Sequence, residues 1–187
     1  MPFPVVHLVL ALRSLAVAFA TCVLLAVGGS AMAQIEPFLG SYSGSAQVVL
    51  SDGTTRDRDL SVNISETRNG FQVQWTTVTF RSDGRITEKS YEIGFVPSGD
   101  DGLFSAAMKR DLFGNEVQLN PMRGEPYVWG QISGETLTVY ALFVDPGGGY
   151  LIHQYDRTLA EGGLQLDFNS VANGERQSSV STFLAAD

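Results

Sequence analysis

Hydrophobic and polar residues alternate with a period of two along most of the chain after Gly40. Such alternation is typical of β-strands that bury one face and expose the other. The clearest segment interleaves three apolar residues with serine and asparagine: Leu60, Val62 and Ile64. After Trp75 the hydrophobic residues change sides, since Val78 and Phe80 fall on the opposite face of the strand, so we expect a β-bulge or a bend near Thr76-Thr77.

Turn residues divide this pattern into about ten short strands without a convincing long helix. Asn69-Gly70 and Asn173-Gly174 are typical hairpin turns, because both residue types tolerate positive φ. The segment 111–126 interrupts the pattern and predicts a longer loop or a short helix. Short turns between successive strands favour an all-β fold, a single antiparallel up-and-down β-barrel of about 8–10 strands. A β-sandwich is the alternative if a strand has been missed.

Residues 1–33 are strongly apolar, with Arg13 as their single charge. A positive residue, the apolar run from Leu15 to Val27 and the small residues Ala31-Met32-Ala33 are typical of a secretory signal peptide. We expect cleavage near Ala33, and an uncleaved N-terminal anchor is the alternative. The chain then divides into a signal peptide, 1–33, and one domain, 34–187, which is long enough to bury a single core.

The number and position of cysteines indicate the cellular compartment in which the protein folds. The single cysteine, Cys22, lies inside the predicted signal peptide, so the domain has no disulfide and no thiolate metal site. A small exported domain without disulfides fits a bacterial periplasm better than a eukaryotic secretory route. We expect a periplasmic protein without a stable membrane span after cleavage, because the domain lacks an apolar run of about 20 residues.

The charge balance argues against a nucleic-acid partner. The chain carries 12 basic and 20 acidic residues, a net charge of −8 at pH 7. Nucleic-acid binding requires clustered Lys and Arg to neutralise phosphates, so an acidic domain of this kind is not expected to bind DNA or RNA.

The domain also lacks most catalytic and cofactor chemistry. His153 is its only histidine, so a histidine-rich metal site is excluded. No G-x-S-x-G motif is present, so a serine hydrolase is not expected. A carboxylate pair acting on sugars is the enzymatic alternative that the acidic composition leaves open. We therefore predict no catalytic residues, no metal and no cofactor.

The segment from Tyr150 to Leu159 carries the main candidate site. If Leu151 and Leu159 face inward, the residues between them on the same face project into the barrel: His153, Tyr155 and Arg157. An inward row of polar groups orients a ligand, and a guanidinium beside a phenol binds a carboxylate through charge-assisted hydrogen bonds. Two alternatives remain open: the row lies in solvent, or Arg157 forms a buried structural pair with an acid.

Two aromatic residues complete the predicted ligand-binding set. Trp129 follows the irregular segment and is expected near a barrel rim, where it and Tyr140 would wall the cavity. Core or rim packing is the alternative for Trp129, whereas Trp75 is assigned to the core.

The domain resembles the calycin group, which comprises lipocalins, fatty-acid-binding proteins and bacterial lipocalin-like relatives. The resemblance rests on the opening Gly40-Ser41-Tyr42-Ser43-Gly44, on the meander that follows it and on the late Tyr155-Asp156-Arg157. It implies a non-catalytic barrel that binds a small apolar or amphipathic ligand, including an anionic lipid-like one, with Arg157 as the counterion. The alternative is a protein-interaction barrel with a filled interior, such as an envelope-assembly factor or an enzyme inhibitor.

Overall fold

The computed structural model describes residues 34–50, 53–81, 83–107, 109–110, 116–117 and 119–187. The predicted signal peptide, 1–33, lies outside the described residues, as does its cysteine. The strands are β1 (Gly40–Leu50), β2 (Thr55–Thr67), β3 (Gly70–Phe80), β4 (Ile86–Pro97), β5 (Leu103–Ala107), β6 (Lys109–Arg110), β7 (Glu116–Val117), β8 (Tyr127–Ser133), β9 (Thr136–Val144), β10 (Tyr150–Ala160), β11 (Gly163–Ala172) and β12 (Glu175–Ala186).

Ten of these strands form one closed antiparallel barrel, in the order β1-β12-β11-β10-β9-β8-β5-β4-β3-β2. The all-β up-and-down barrel predicted from the alternation is therefore confirmed. The first and last strands close the ring, with Tyr42 opposite Ala186 and Val49 opposite Ser179. Between these pairs the Thr182 hydroxyl donates to the Ser45 carbonyl at 2.8 Å. This closure removes both sheet edges, and it decides between a barrel and a sandwich.

The irregular segment 111–126 contains little regular structure among its described residues. β6 pairs with β7 as a small separate ribbon. A 3₁₀ turn then spans Pro121–Arg123 before β8 begins. Residues 111–115 and 118 lie outside the described residues.

Apolar side chains fill the end of the barrel at which β1 begins, here called the closed end. Phe71 stacks on Phe95 with ring centroids 5.0 Å apart and meets Phe104 edge-on at 4.9 Å. Ile35 and Phe38, from the segment that precedes β1, are fully buried in the same cluster. Burial of such large side chains contributes about 1.5–3 kcal/mol each, so this end supplies much of the core stability.

The predicted bulge at Thr76-Thr77 is wrong. β3 keeps one register against both neighbours, with Thr77 opposite Leu60 on β2 and opposite Lys89 on β4. Thr77 therefore stays on the inward face, and Phe80 points outward, where it is exposed. The interior itself changes from apolar to polar toward the opposite end of the barrel, here called the open end.

Candidate functional site

Alternation along β10 places His153, Tyr155 and Arg157 inside the barrel. Arg157 lies opposite Leu137 on β9 and Leu166 on β11, both buried core residues. Its guanidinium-bearing side chain is only 2% exposed. The alternative that this row lies in solvent is therefore wrong.

Arg157 is a buried cation without a carboxylate partner among the described residues. Its Nε and Nη1 atoms lack a hydrogen-bond partner there, and the one described ion pair joins Arg85 to Asp83. The guanidinium carbon lies 5.5 Å from the ring centroid of Tyr155 and 5.9 Å from that of Trp75. Aromatic faces stabilise a cation but do not neutralise it. None of the acidic residues whose side chains the structure describes therefore forms the structural arginine–acid pair with Arg157.

The acidic residue next to Arg157 on β10, Asp156, does not pair with the guanidinium. Asp156 faces the outside, where it accepts hydrogen bonds from the Thr138 hydroxyl and the Gln154 amide, both at 2.7 Å. Burial lowers the pKa of Arg157 to about 10, and the nearby Tyr155 and Asp156 only partly offset this effect. The guanidinium is still charged at neutral pH, so it provides an uncompensated positive charge inside the barrel.

Two adjacent cavities occupy the interior beside Arg157. The inner cavity has a volume of about 70 Å³, and apolar, hydroxyl-bearing and aromatic residues line it together with the two arginines Arg58 and Arg157. The outer cavity, nearer the open end, has a volume of about 310 Å³. Arg58, Trp75 and Tyr155 line both cavities, so the two are contiguous parts of one candidate site.

Four further basic residues, which were not among the predicted site residues, line the outer cavity: Arg56, Arg58, Arg81 and Lys89. None of the acidic residues whose side chains the structure describes lines either cavity. Five basic residues among those whose side chains the structure describes thus face this interior, although the protein as a whole has a net charge of −8.

Strand alternation produces this separation of charge. In Arg56-Asp57-Arg58-Asp59 the two arginines face inward and the two aspartates face outward. Glu88-Lys89 and Asp156-Arg157 divide their charges in the same way. Side chains on a strand point alternately to the two faces of the sheet. A run of residues with alternating positive and negative charges therefore places the charges of one sign inside the barrel and those of the other sign outside. This signal is readable from the sequence once the barrel is known.

Hydroxyl groups and aromatic rings complete the cavity walls. The hydroxyl residues on the outer cavity, besides its tyrosines, are Thr77, Thr79, Thr87, Ser170 and Ser178. Trp75 stacks with Tyr91 at 5.4 Å and meets Tyr155 at 5.5 Å, and Tyr155 contacts Phe168 at 4.7 Å. Trp75, Tyr155 and Phe168 line both cavities, so these three rings lie where the two cavities meet.

No protein-family model matches this sequence, and no curated protein is similar to it. The assignment of the site therefore depends on the geometry of the barrel interior.

Burial sets the protonation of the other two members of the row. It raises the pKa of the Tyr155 phenol to about 12, and the positive charge of Arg157 opposes this shift. It lowers the pKa of His153, whose ring packs edge-on against Phe143 and Phe168, each at 5.5 Å. At neutral pH both side chains are uncharged hydrogen-bonding groups beside the guanidinium.

Trp129 and Tyr140 do not wall the cavity, and this prediction is wrong. The inward positions of β8 are the buried Val128, Gly130 and Ile132, so Trp129 lies on the outer face. It stacks there on Tyr140, with ring centroids 4.7 Å apart. Aromatic pairs of this kind stabilise neighbouring strands from the outside.

Among the described residues, three or more His, Cys, Asp or Glu side chains never cluster closely enough to hold a metal ion. No helix in the described part of the chain has the length and apolar character needed to cross a membrane.

Proposed function

We propose that this protein is an exported, lipocalin-like binding protein whose barrel interior binds a small anionic, amphipathic ligand without catalysis. The observation that carries the proposal is the buried Arg157, charged and without an acidic partner among the described residues. Burying an unpaired charge is costly, so an interior that keeps one is suited to a ligand that supplies the opposite charge.

The cavity dimensions support a compact ligand. A water molecule needs roughly 10–15 Å³ on this measure, so the inner cavity of about 70 Å³ holds a group the size of a few waters. A long acyl chain does not fit there. The anionic group would meet Arg157, with Tyr155 and His153 donating hydrogen bonds, and the apolar part would pack on the ring of Trp75.

The alternative of a protein-interaction barrel requires a filled interior. The closed end is filled, but the outer cavity of about 310 Å³ beside His153 and Tyr155 supports ligand binding over that alternative. Export to the periplasm remains part of the proposal on the strength of residues 1–33.

Native mass spectrometry tests the proposal first. The native mass of the protein, purified from a periplasmic extract, is compared with its denatured mass. We expect a discrete extra mass that is lost on denaturation. A bare native mass, together with no binding of benzoate, hexanoate or palmitate to the refolded protein, would overturn the proposal.

Arg157→Met then tests the role of the guanidinium. Trp75 lies on the cavity wall, so its fluorescence reports binding once the outer tryptophan is replaced by Trp129→Phe. Loss of a charge-assisted hydrogen bond costs about 1.5–3 kcal/mol, so benzoate affinity should fall by roughly 10–100-fold. The matched control is Arg176→Met, which removes an exposed arginine that does not line the cavities. Equal affinity in both variants would contradict the assignment.

A further inference from the structure

The four basic residues at the outer cavity exceed what a single carboxylate needs. Arg56, Arg81 and Lys89 are exposed to solvent at the open end, whereas Arg58 is half-buried behind them. Arg58 Nε is buried and lacks a hydrogen-bond partner among the described residues. A carboxylate at Arg157 would also face Arg58, which lines the inner cavity as well, but it would leave the charges of Arg56, Arg81 and Lys89 uncompensated.

These cations also repel one another. Burial lowers the pKa of Arg58, and the positive charge of Arg56, two positions earlier on β2, lowers it further. Holding like charges close together costs electrostatic free energy, and a multivalent anion bound between them would remove that cost. The four side chains come from β2, from the turn after β3 and from β4, so they lie together along one wall of the outer cavity.

We propose that the outer cavity is a binding site for a phosphate-ester group, so that the ligand is a small phosphorylated molecule with its phosphate at the open end and a second anionic group at Arg157. This inference rests on the proposed function, because it concerns the same interior. A phosphate monoester carries about −1.5 to −2 charges and three acceptor oxygens at neutral pH. Arginine forks match those oxygens bidentately, and Lys89 adds a compact point charge.

The hydroxyl groups and aromatic rings that line the outer cavity indicate what other chemical groups the ligand carries. Thr77 and Thr79 from β3 and Ser170 and Ser178 from β11 and β12 line the same cavity and can donate to phosphate oxygens. The stacked rings of Trp75 and Tyr91 lie next to these donors. A planar body attached to the phosphate would pack on those rings, within a cavity of about 310 Å³.

Phenyl phosphate is the probe and benzoate is its comparison, both measured by calorimetry on the refolded full chain. Arg56→Gln and Lys89→Gln change exposed side chains, so they are expected to leave folding intact, which circular dichroism checks. Each should weaken phenyl phosphate about tenfold, and the double variant about 100-fold, since a charged hydrogen bond contributes about 1.4 kcal/mol or more. Benzoate affinity should change less than about threefold.

The control is Arg68→Gln, which removes an exposed arginine from the β2–β3 hairpin at the closed end. It should leave phenyl phosphate binding unchanged. A preference for benzoate over phenyl phosphate, or equal effects of Arg68→Gln and Lys89→Gln, would overturn the inference. If benzoate still binds and its affinity still depends on Arg157, the proposed function is retained although the phosphate inference fails. The failure of one can therefore be distinguished from the failure of the other.

Phosphatidic acid in phosphatidylcholine vesicles provides the second arm, because the same group occurs on a lipid headgroup. Vesicle binding that is weakened by Lys89→Gln would support the phosphate site and assign the phosphate to a lipid. Binding of phenyl phosphate without vesicle binding would support it and assign the phosphate to a soluble ester. If neither phenyl phosphate nor the vesicles bind, the inference is overturned.

Discussion

Replacing Arg157 by methionine should stabilise the ligand-free protein, although it removes a large buried side chain. Burial lowers the pKa of Arg157 from 12.5 to about 10. At about 1.4 kcal/mol per pKa unit, keeping the guanidinium charged in the folded state costs about 3 kcal/mol. The folded pKa of this base lies below the unfolded one, so the cost is fully present below about pH 10 and disappears only as pH rises toward 12.5.

Two smaller effects reduce the gain. The substitution removes the contacts of the cation with the rings of Tyr155 and Trp75, worth about 0.5–2 kcal/mol together. Methionine keeps most of the length of the side chain and adapts to irregular space, so the cavity left behind is small. We therefore expect Arg157→Met to raise the free energy of unfolding by about 1–3 kcal/mol, or the melting temperature by roughly 3–10 °C.

Urea unfolding at pH 7, followed by tryptophan fluorescence, measures this change on protein refolded from denaturant to remove bound ligand. The m-value should stay constant, because the exposed surface hardly changes. Arg176→Met, on the surface, should shift stability by less than about 0.5 kcal/mol. A loss of stability above about 1 kcal/mol in Arg157→Met would refute the reasoning, since it would mean that the guanidinium is held by favourable interactions.

Three further predictions concern single positions. A Cβ on Gly70 would overlap the carbonyl of Phe95, so Gly70→Ala should lower stability by about 1–3 kcal/mol in urea unfolding; an unchanged midpoint would contradict this close approach. Burial lowers the pKa of His153 below 6.5, so the unfolded chain takes up a proton first as pH falls and stability is lost below that value. His153→Gln should flatten that decline between about pH 7 and pH 5, and an identical slope would be inconsistent with it. Thr138→Val removes the 2.7 Å bond to Asp156 and should cost about 1–2 kcal/mol; a double-mutant cycle with Asp156→Asn should show coupling.

The sequence was sufficient for the fold because turn chemistry and alternation agree along the chain. Asn173 and Gly174 both adopt positive φ, 51° and 85°, in the hairpin that their residue types predicted. The inward row on β10 was one of the predicted alternatives: leucines at both ends favoured it, and a row facing solvent was kept open. Its ligand role stays a prediction.

The errors on β2 and β3 share one physical cause, which is that alternation was interpreted as apolar inside and polar outside. At the open end the interior is polar, so Thr77 faces inward although the apolar Val78 does not. For the same reason Arg56 and Arg58 were left out of the site. On β8 the inward position is Gly130, because a Cβ there would lie 3.2 Å from the ring of Phe95, and so the large Trp129 packs outside.

The seam between β1 and β12 has a consequence for the kinetics of folding. It joins residues as far apart as Ser43 and Asp187, 144 positions along the chain, whereas the other barrel pairs join successive barrel strands. Closing so long a loop costs about 2 kcal/mol more entropy than closing a ten-residue hairpin. The hairpins can therefore form locally, and ring closure comes last. Substitutions along the seam should speed unfolding while leaving the refolding rate nearly unchanged.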